Sequence, residues 1–352
     1  MFSDATYRDR VRTQVPLREL TTMRVGGPVD YLVDVQSLDE LKDVVHRVKT
    51  AGARLLPLGE GSNIIVVDEG VRGVAIRLQM ADIDIIENDD GILVKVGAGL
   101  LWDALVEKMV EQGLGGIEAM SGVPGTVGAS PVQNIGCYGQ ELSDTFVSLE
   151  AYDIEQEQLV TFNREQCQFS YRSSIFKTAT DHRYIILSVT FKLNRAQRSA
   201  PRYPDVQAYL LEQRITTPTI SDIRQAVLTV RHAKSMVLDE SDPNTRSVGS
   251  FFTNPIVTVE QSNTLLQTYP DMPHYSLPDG MVKIPAAWLV ERAGFVKGYT
   301  DGNVGISSRH SLAVINKGNA TADEVISLGE AIESQVEKVF GIKLQREPQI
   351  IS

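Results

Sequence analysis

Ser121-Gly122-Val123-Pro124-Gly125-Thr126-Val127-Gly128-Ala129-Ser130-Pro131-Val132-Gln133-Asn134-Ile135-Gly136-Cys137-Tyr138-Gly139 is the stretch on which the reading of this chain turns. Glycine and proline are too frequent in it for a helix interior or a central strand, and charges too few for a disordered linker. Glycine in such a run marks backbone that turns tightly or approaches another group with no side chain between. Interleaved with Ser, Thr and Asn, its N–H groups and short hydroxyls suit a phosphate or pyrophosphate. A plain surface turn accounts for a few such residues but not for this length, so the stretch reads as a cofactor loop.

A second glycine turn, Gly59-Glu60-Gly61-Ser62-Asn63, joins two β-like runs at 54–58 and 64–67. It lacks the Gly-Lys-Ser/Thr ending of a phosphate-binding P-loop. It also lacks the helix that must follow a dinucleotide fingerprint. Alone it reads equally well as a hairpin turn. Paired with 121–139 it points to one large diphosphate cofactor held between two subdomains, and away from a GxGxxG nicotinamide fold.

Working outward, 30–35 reads as a strand, and Ser37-Leu38-Asp39-Glu40 as a capping box before a helix with Leu41, Val44, Val45 and Val48 on one face. This β-α-β-turn-β opening looks like a small α/β subdomain ending near Leu78. A second region has strands at 83–86 and 92–96, a helix over 101–111, the glycine loop, and strands at 147–152, 159–162 and 184–192 of a mixed sheet. The polar, proline-bearing span 195–218 suits a mobile loop or domain junction. Helices are predicted over 221–234, 258–267, 286–293 and 321–340, the last opening on the capping box Thr321-Ala322-Asp323-Glu324. The fold class is α+β, and the domain division is 16–79, 80–218 and 219–352.

At 352 residues with a net charge of −11, the chain has room for two or three domains and no sequence-independent affinity for nucleic acid or anionic membrane. The first ten residues form a polar lead-in without the apolar core of a signal peptide. Cys137 and Cys167 fit a reducing compartment, so the setting is cytoplasmic. The five histidines (His46, His182, His232, His274 and His310) lack ligand spacing, and no metal is expected.

Three further segments could carry chemistry. Tyr171-Arg172 places an arginine between aromatics, where an exposed side chain packed on Tyr171 is the bland alternative. Gly249-Ser250-Phe251-Phe252-Thr253-Asn254-Pro255 holds a hydroxyl in apolar surroundings, where a proton donor is shielded from water. No His and Asp partners support a nucleophilic serine. Glu347, in Phe340-Gly341-Ile342-Lys343-Leu344-Gln345-Arg346-Glu347-Pro348, ends a β-like stretch and by itself is a surface glutamate.

Taken in order, these segments and Thr22-Met23-Arg24-Val25-Gly26-Gly27-Pro28 resemble the UDP-N-acetylenolpyruvoylglucosamine reductase family of peptidoglycan synthesis, over about residues 20–350. The resemblance implies two FAD-binding subdomains of the vanillyl-alcohol-oxidase type and a third α/β domain that binds substrate. It assigns FAD contacts to Gly59, Glu60, Gly61, Ser62 and Asn63 in the turn. In the loop it assigns Ser121, Gly122, Pro124, Gly125, Thr126, Gly128, Ala129, Gln133, Asn134, Gly136, Tyr138 and Gly139. The turn offers neither His nor Cys for a covalent link, so FAD is expected to be non-covalent, with NADPH as hydride donor.

By the same likeness, reduced flavin passes hydride to C3 of the enolpyruvyl group of a UDP-sugar. Arg172 faces the charge developing at C2 and the carboxylate, Ser250 protonates C2, and Glu347 holds the carboxylate or the arginine. Arg231, Lys234, Lys283 and Lys297 are candidates for the UDP phosphates, and Asn254 and Tyr275 for hydrogen bonds to the nucleotide. Tyr203 matches the lid tyrosine of one branch, and the family implies a monomer. The C-terminal Gln345-Arg346-Glu347-Pro348-Gln349 departs from the Glu-x-Glu-Val-Arg of many relatives, which leaves the support of Glu347 open. Two other readings remain: a sugar or alcohol oxidase on the same flavin fold, which would lack the third domain, and a non-catalytic sugar-nucleotide sensor, which would not need Ser250.

Overall fold

The computed structural model describes residues 1–2, 7, 10–89, 91–178, 183–196 and 198–352. His182 and most of the polar N-terminal stretch fall outside them. The chain divides into two compact units, one of residues 1–15, 29–61 and 71–237, the other of residues 16–28, 62–70 and 238–352.

In the first unit, strands Pro28–Val35 and Leu55–Pro57 flank Val71–Leu78, both parallel to it. Parallel neighbours need a crossover, and the helix Leu38–Thr50 supplies the first. Ser37 caps that helix by accepting from the Glu40 N–H. Leu41, Val44, Val45 and Val48 are all buried, as their spacing requires. The second sheet runs Gln158–Asn163, Phe146–Asp153, Tyr184–Arg195, Gly91–Gly97, Ile83–Asn88. Every neighbouring pair in that order is antiparallel, which corrects the expectation of a mixed sheet. Alternation alone does not distinguish the two arrangements. The helix Trp102–Glu111 packs on this sheet, with Trp102 edge-on to Phe191 at 5.9 Å.

The span 195–218, expected as a loop, contains the helix Pro204–Glu212. Pro204 sits at its first turn, where a missing N–H costs nothing. Val206 and Leu210 are buried against Ile223, Ala226 and Val227 of the helix Ile220–Ala233. Its hydrophobic face is narrow, so the polar composition masked it.

The second unit gathers three separate stretches around one core that includes Met23, Ile65, Phe251, Leu289, Ile332 and Val336. Strand Ile64–Val66 pairs in parallel with the C-terminal strand Gln349–Ile351. It does not pair with Leu55–Pro57, so the 59–63 turn is no hairpin, while the β-α-β-turn-β order of the opening is as expected. Its partner lies at the far end of the chain, beyond any local signal. Asn316 holds residues 22–24 here, its Nδ2 donating to the carbonyls of Met23 (3.1 Å) and Arg24 (3.2 Å). The helix Ala322–Phe340 opens on the expected capping box and ends at Gly341 in the left-handed conformation. Asp68 accepts from the Ala322 and Asp323 N–H groups, placing an anion at that helix's positive end.

Among the described residues no helix is long and apolar enough to cross a membrane.

Candidate active site

The 121–139 loop is less bare than its composition suggests. The Val127 and Gly128 N–H groups donate to Leu100 O and Ala98 O, and those of Ala129 and Ser130 to Thr126 O. Ser121 turns its hydroxyl to Glu118 O at 2.7 Å. The Asn134 side chain is buried, donating to Glu141 Oε2 and accepting from the Ser143 N–H. Much of the loop's hydrogen bonding therefore fixes its own shape. A Cβ on Gly128 would lie 2.5 Å from that of Ala98, so glycine is required for this close approach.

The 59–61 turn complements it. The Glu60 carboxylate accepts from the Gly125 N–H at 2.6 Å, and a Cβ on Gly59 would meet Thr126 Oγ1 at 3.0 Å. Turn and loop thus adjoin within the first unit. The N–H groups of Gly59, Glu60 and Gly61 donate to no acceptor among the described residues. Three successive unclaimed N–H groups, with Gly61 at φ +64°, form the kind of nest that takes a diphosphate. The residues present fit the diphosphate of FAD at the turn. Pro124, Gln133, Gly136, Tyr138 and Gly139 extend the loop beyond it.

Arg172 sits at a tight turn in which Ser170 and Ser173 exchange backbone hydrogen bonds of 3.1 Å. Its φ of +55° is uncommon for a residue with a side chain and costs about 1–3 kcal/mol. The guanidinium lies over the Tyr171 ring, and Nη2 donates to Gly136 O at 2.6 Å. The structure therefore joins Arg172 to the loop, beyond the simple stacking on Tyr171.

In the second unit two distant segments cross. The Glu347 N–H donates to Phe251 O at 2.9 Å, and the Thr253 N–H donates to Gln345 O at 3.0 Å. These bonds fix the backbone of Glu347 one residue from half-buried Ser250. Phe251 and Phe252 anchor the crossing from below, buried edge to face at 5.1 Å. Helix Ala322–Phe340 comes flush against them, since a Cβ on Gly329 would lie 2.7 Å from the Phe251 ring. Asn63 Nδ2 donates to Glu347 O at 3.3 Å, and the Gln349 N–H donates to Asn63 O at 3.1 Å. The end of the glycine turn is thereby tied to the C-terminal glutamate.

The unusual C-terminal sequence has its own support. Arg346 forks onto Glu333 of the long helix at 2.6 and 2.9 Å. That bidentate pair keeps the Arg346 guanidinium above its ordinary pKa and pins the residue next to Glu347.

The remaining candidates divide between the units. In the second, Tyr275 and Lys283 are cross-strand partners, and Asn254 Oδ1 accepts from the Ala286 N–H at 2.9 Å. Tyr275 and Lys297 are exposed. In the first, Tyr203 is exposed and edge-on to Tyr138 at 5.1 Å, while Lys234 pairs with Asp205. Arg231 is buried beneath the loop, donating to Gly122 O at 3.1 Å. Sequence reasoning missed Asp103 and Arg224, whose ion pair of 2.6 Å also supports the loop. They belong to no motif, and only the facing of two helices reveals them.

Comparison with known proteins separates along the same lines. A family described as FAD binding domain matches residues 29–163, which contain the turn and the loop. The family described as UDP-N-acetylenolpyruvoylglucosamine reductase, C-terminal domain, matches residues 242–351, which contain Ser250 and Glu347. A UDP-N-acetylenolpyruvoylglucosamine reductase of Thermobifida fusca is 43% identical over 346 residues, spanning 96% of this chain and 97% of that protein. The chain belongs to the UDP-N-acetylenolpyruvoylglucosamine reductase family. The reductase of Mycobacterium tuberculosis is 40% identical over 352 residues, covering 96% of this chain and 94% of that protein. A solved reductase from Thermus caldophilus superposes with a TM-score of 0.67 at 26% identity, covering 97% and 99% of the two chains.

This member of the family is accordingly an FAD-dependent oxidoreductase. Its fold joins an FAD-binding part of the vanillyl-alcohol-oxidase type to the family's C-terminal α/β domain, as the resemblance implied. The oxidase alternative, which would lack that domain, is set aside.

Proposed function

We propose that the chain reduces the enolpyruvyl group of UDP-N-acetylglucosamine-enolpyruvate to give UDP-N-acetylmuramate for peptidoglycan synthesis. In this reading it works in the cytoplasm as a monomer, with NADPH as reductant and non-covalent FAD. The observation that supports the reading is the bond from the Glu347 N–H to Phe251 O, which brings the backbone of Glu347 beside the residue that follows Ser250. The division into 16–79, 80–218 and 219–352 is part of the same proposal.

Bound FAD supplies hydride relay from NADPH to C3 of the vinyl group. Arg172 presents a planar cation, oriented by its bond to Gly136 O, to the negative charge that grows on C2 and the carboxylate. Ser250 delivers its proton to C2. A serine hydroxyl is a weak acid, so it gives up that proton only to a strongly basic, carbanion-like centre next to cations. Glu347 hydrogen-bonds the carboxyl group of the substrate or positions the arginine. Lys234, Lys283 and Lys297 neutralise the UDP phosphates, Asn254 and Tyr275 bond to the nucleotide, and Tyr203 closes over it. The sensor alternative has no use for this proton donor. Non-covalent FAD is supported by the lack of His or Cys at 59–63 and by Cys137 Sγ lying 3.1 Å from Arg231 Nη1.

The test is anaerobic spectroscopy of the purified protein. A yellow protein bleached by NADPH, with colour restored by the enolpyruvyl nucleotide, is expected. Protein that stays colourless with added FAD, or bleached after the nucleotide, refutes the proposal.

A further inference from the structure

Gly122 is held through both of its backbone polar groups. Its N–H donates to Asp103 Oδ1 at 2.6 Å, and its buried carbonyl accepts from Arg231 Nη2 at 3.1 Å. Arg224 forks onto Asp103 at 2.6 and 3.0 Å. Arg231 also donates to Met236 O at 2.5 Å and sets Nη1 3.1 Å from Cys137 Sγ. One guanidinium, only 6% exposed, therefore touches the glycine loop near both its ends. Arg224, Leu228 and Arg231 recur on one face of the helix Ile220–Ala233, so that face is the loop's floor. Glycine is required at 122, since its φ is +70° and a Cβ would lie 2.9 Å from Leu228.

An arginine that meets a diphosphate keeps its nitrogens within reach of the ligand. Arg231 has both terminal nitrogens on protein atoms, and its Nε is buried with no hydrogen-bond partner among the described residues. Turning it toward a ligand would strand the buried Gly122 carbonyl.

We propose that Arg231, together with the Asp103–Arg224 pair, clamps the Gly122 backbone and so positions the 122–137 loop for FAD, and that it is not a ligand of the UDP group. The inference rests on the reading of this loop as the flavin site.

Arg231→Met, similar in length and uncharged, tests it in the full-length enzyme. The dissociation constant for FAD should rise about 10–100-fold with a changed visible flavin band, while the KM for the enolpyruvyl nucleotide at saturating FAD stays within about twofold. In FAD-free protein Cys137 should react faster with a disulfide reagent such as dithionitrobenzoate. Cys167 is silent in that assay, because it is fully buried and burial pushes its thiol up to about 12. Unchanged FAD affinity and Cys137 reactivity overturn the clamp, as does a tenfold rise in KM at saturating FAD.

Should Arg231→Met not fold, Arg231→Lys carries the test. A lysine reaches one carbonyl but cannot bridge Gly122 and Cys137, so smaller changes in the same direction are expected, and wild-type values for both overturn the clamp. Wild-type protein that binds no FAD would sink the reading of the loop, while the thiol comparison still judges the clamp itself.

Discussion

The glycine loop of the first unit and the Ser250–Glu347 crossing of the second are held by different forces. The loop is fixed by charge and hydrogen bonds, with Asp103, Arg224, Arg231 and Glu60 acting on its peptide groups. The crossing stands on packed rings, with Phe251 and Phe252 filling the space beneath it and Arg346 fastened to Glu333 at its edge. A charge-held loop can follow a charged cofactor, and it is sensitive to pH. A packed aromatic base holds a proton donor rigidly, and it is sensitive to lost volume. The two halves of the chemistry should therefore fail separately.

The largest effect is expected at Ser250, the proposed proton donor. Ser250→Ala should slow flavin reoxidation by the enolpyruvyl nucleotide roughly 10²–10⁴-fold and leave reduction by NADPH nearly intact. Stopped-flow absorbance of each half-reaction decides this, and equal slowing of both would merge the regions the comparison separates. Next comes Phe251→Ala, which removes a fully buried ring and should cost about 3–5 kcal/mol of stability in denaturant titration. A loss under about 1 kcal/mol would mean that packing does not hold the crossing.

Glu333→Gln should cost less, about 1–2 kcal/mol, because the Arg346 fork is partly exposed. Turnover should fall with FAD affinity unchanged, and weakened FAD binding would contradict the separation. The smallest effect concerns acid. Burial raises the Asp103 carboxyl, but the Arg224 fork and the Gly122 N–H outweigh it and hold the group below its ordinary range. A carboxyl depressed on folding stabilises the native state above its unfolded pKa of about 3.9, and that contribution is lost as pH falls from there through the folded value. As pH falls below about 4 the wild type should thus lose stability that Asp103→Asn, with no carboxylate to protonate, does not lose. Parallel stability curves for the two proteins would remove Asp103 from the clamp.

The sequence was most legible where structure is local. The Ser37 and Thr321 caps, the buried face of Leu41, Val44, Val45 and Val48, and the glycine turns all follow from residues a few positions apart. It was least legible where partners are remote. The helix Pro204–Glu212 was hidden because only Val206 and Leu210 of its residues are buried, and Ile64–Val66 gave no sign of pairing with Gln349–Ile351.

From the residues alone came the requirement for bare backbone at 59–63 and 121–139, and with it a diphosphate cofactor. Family likeness added Arg172, Ser250 and Glu347. What tertiary structure alone decided is how those pieces are held: that Glu347 hangs from Phe251, that Asn63 bonds to Glu347, and that Arg231 lies under the loop. Conformational preference is a property of neighbours along the chain. Hydrogen bonds and buried contacts between residues far apart along the chain exist only once the cores have formed.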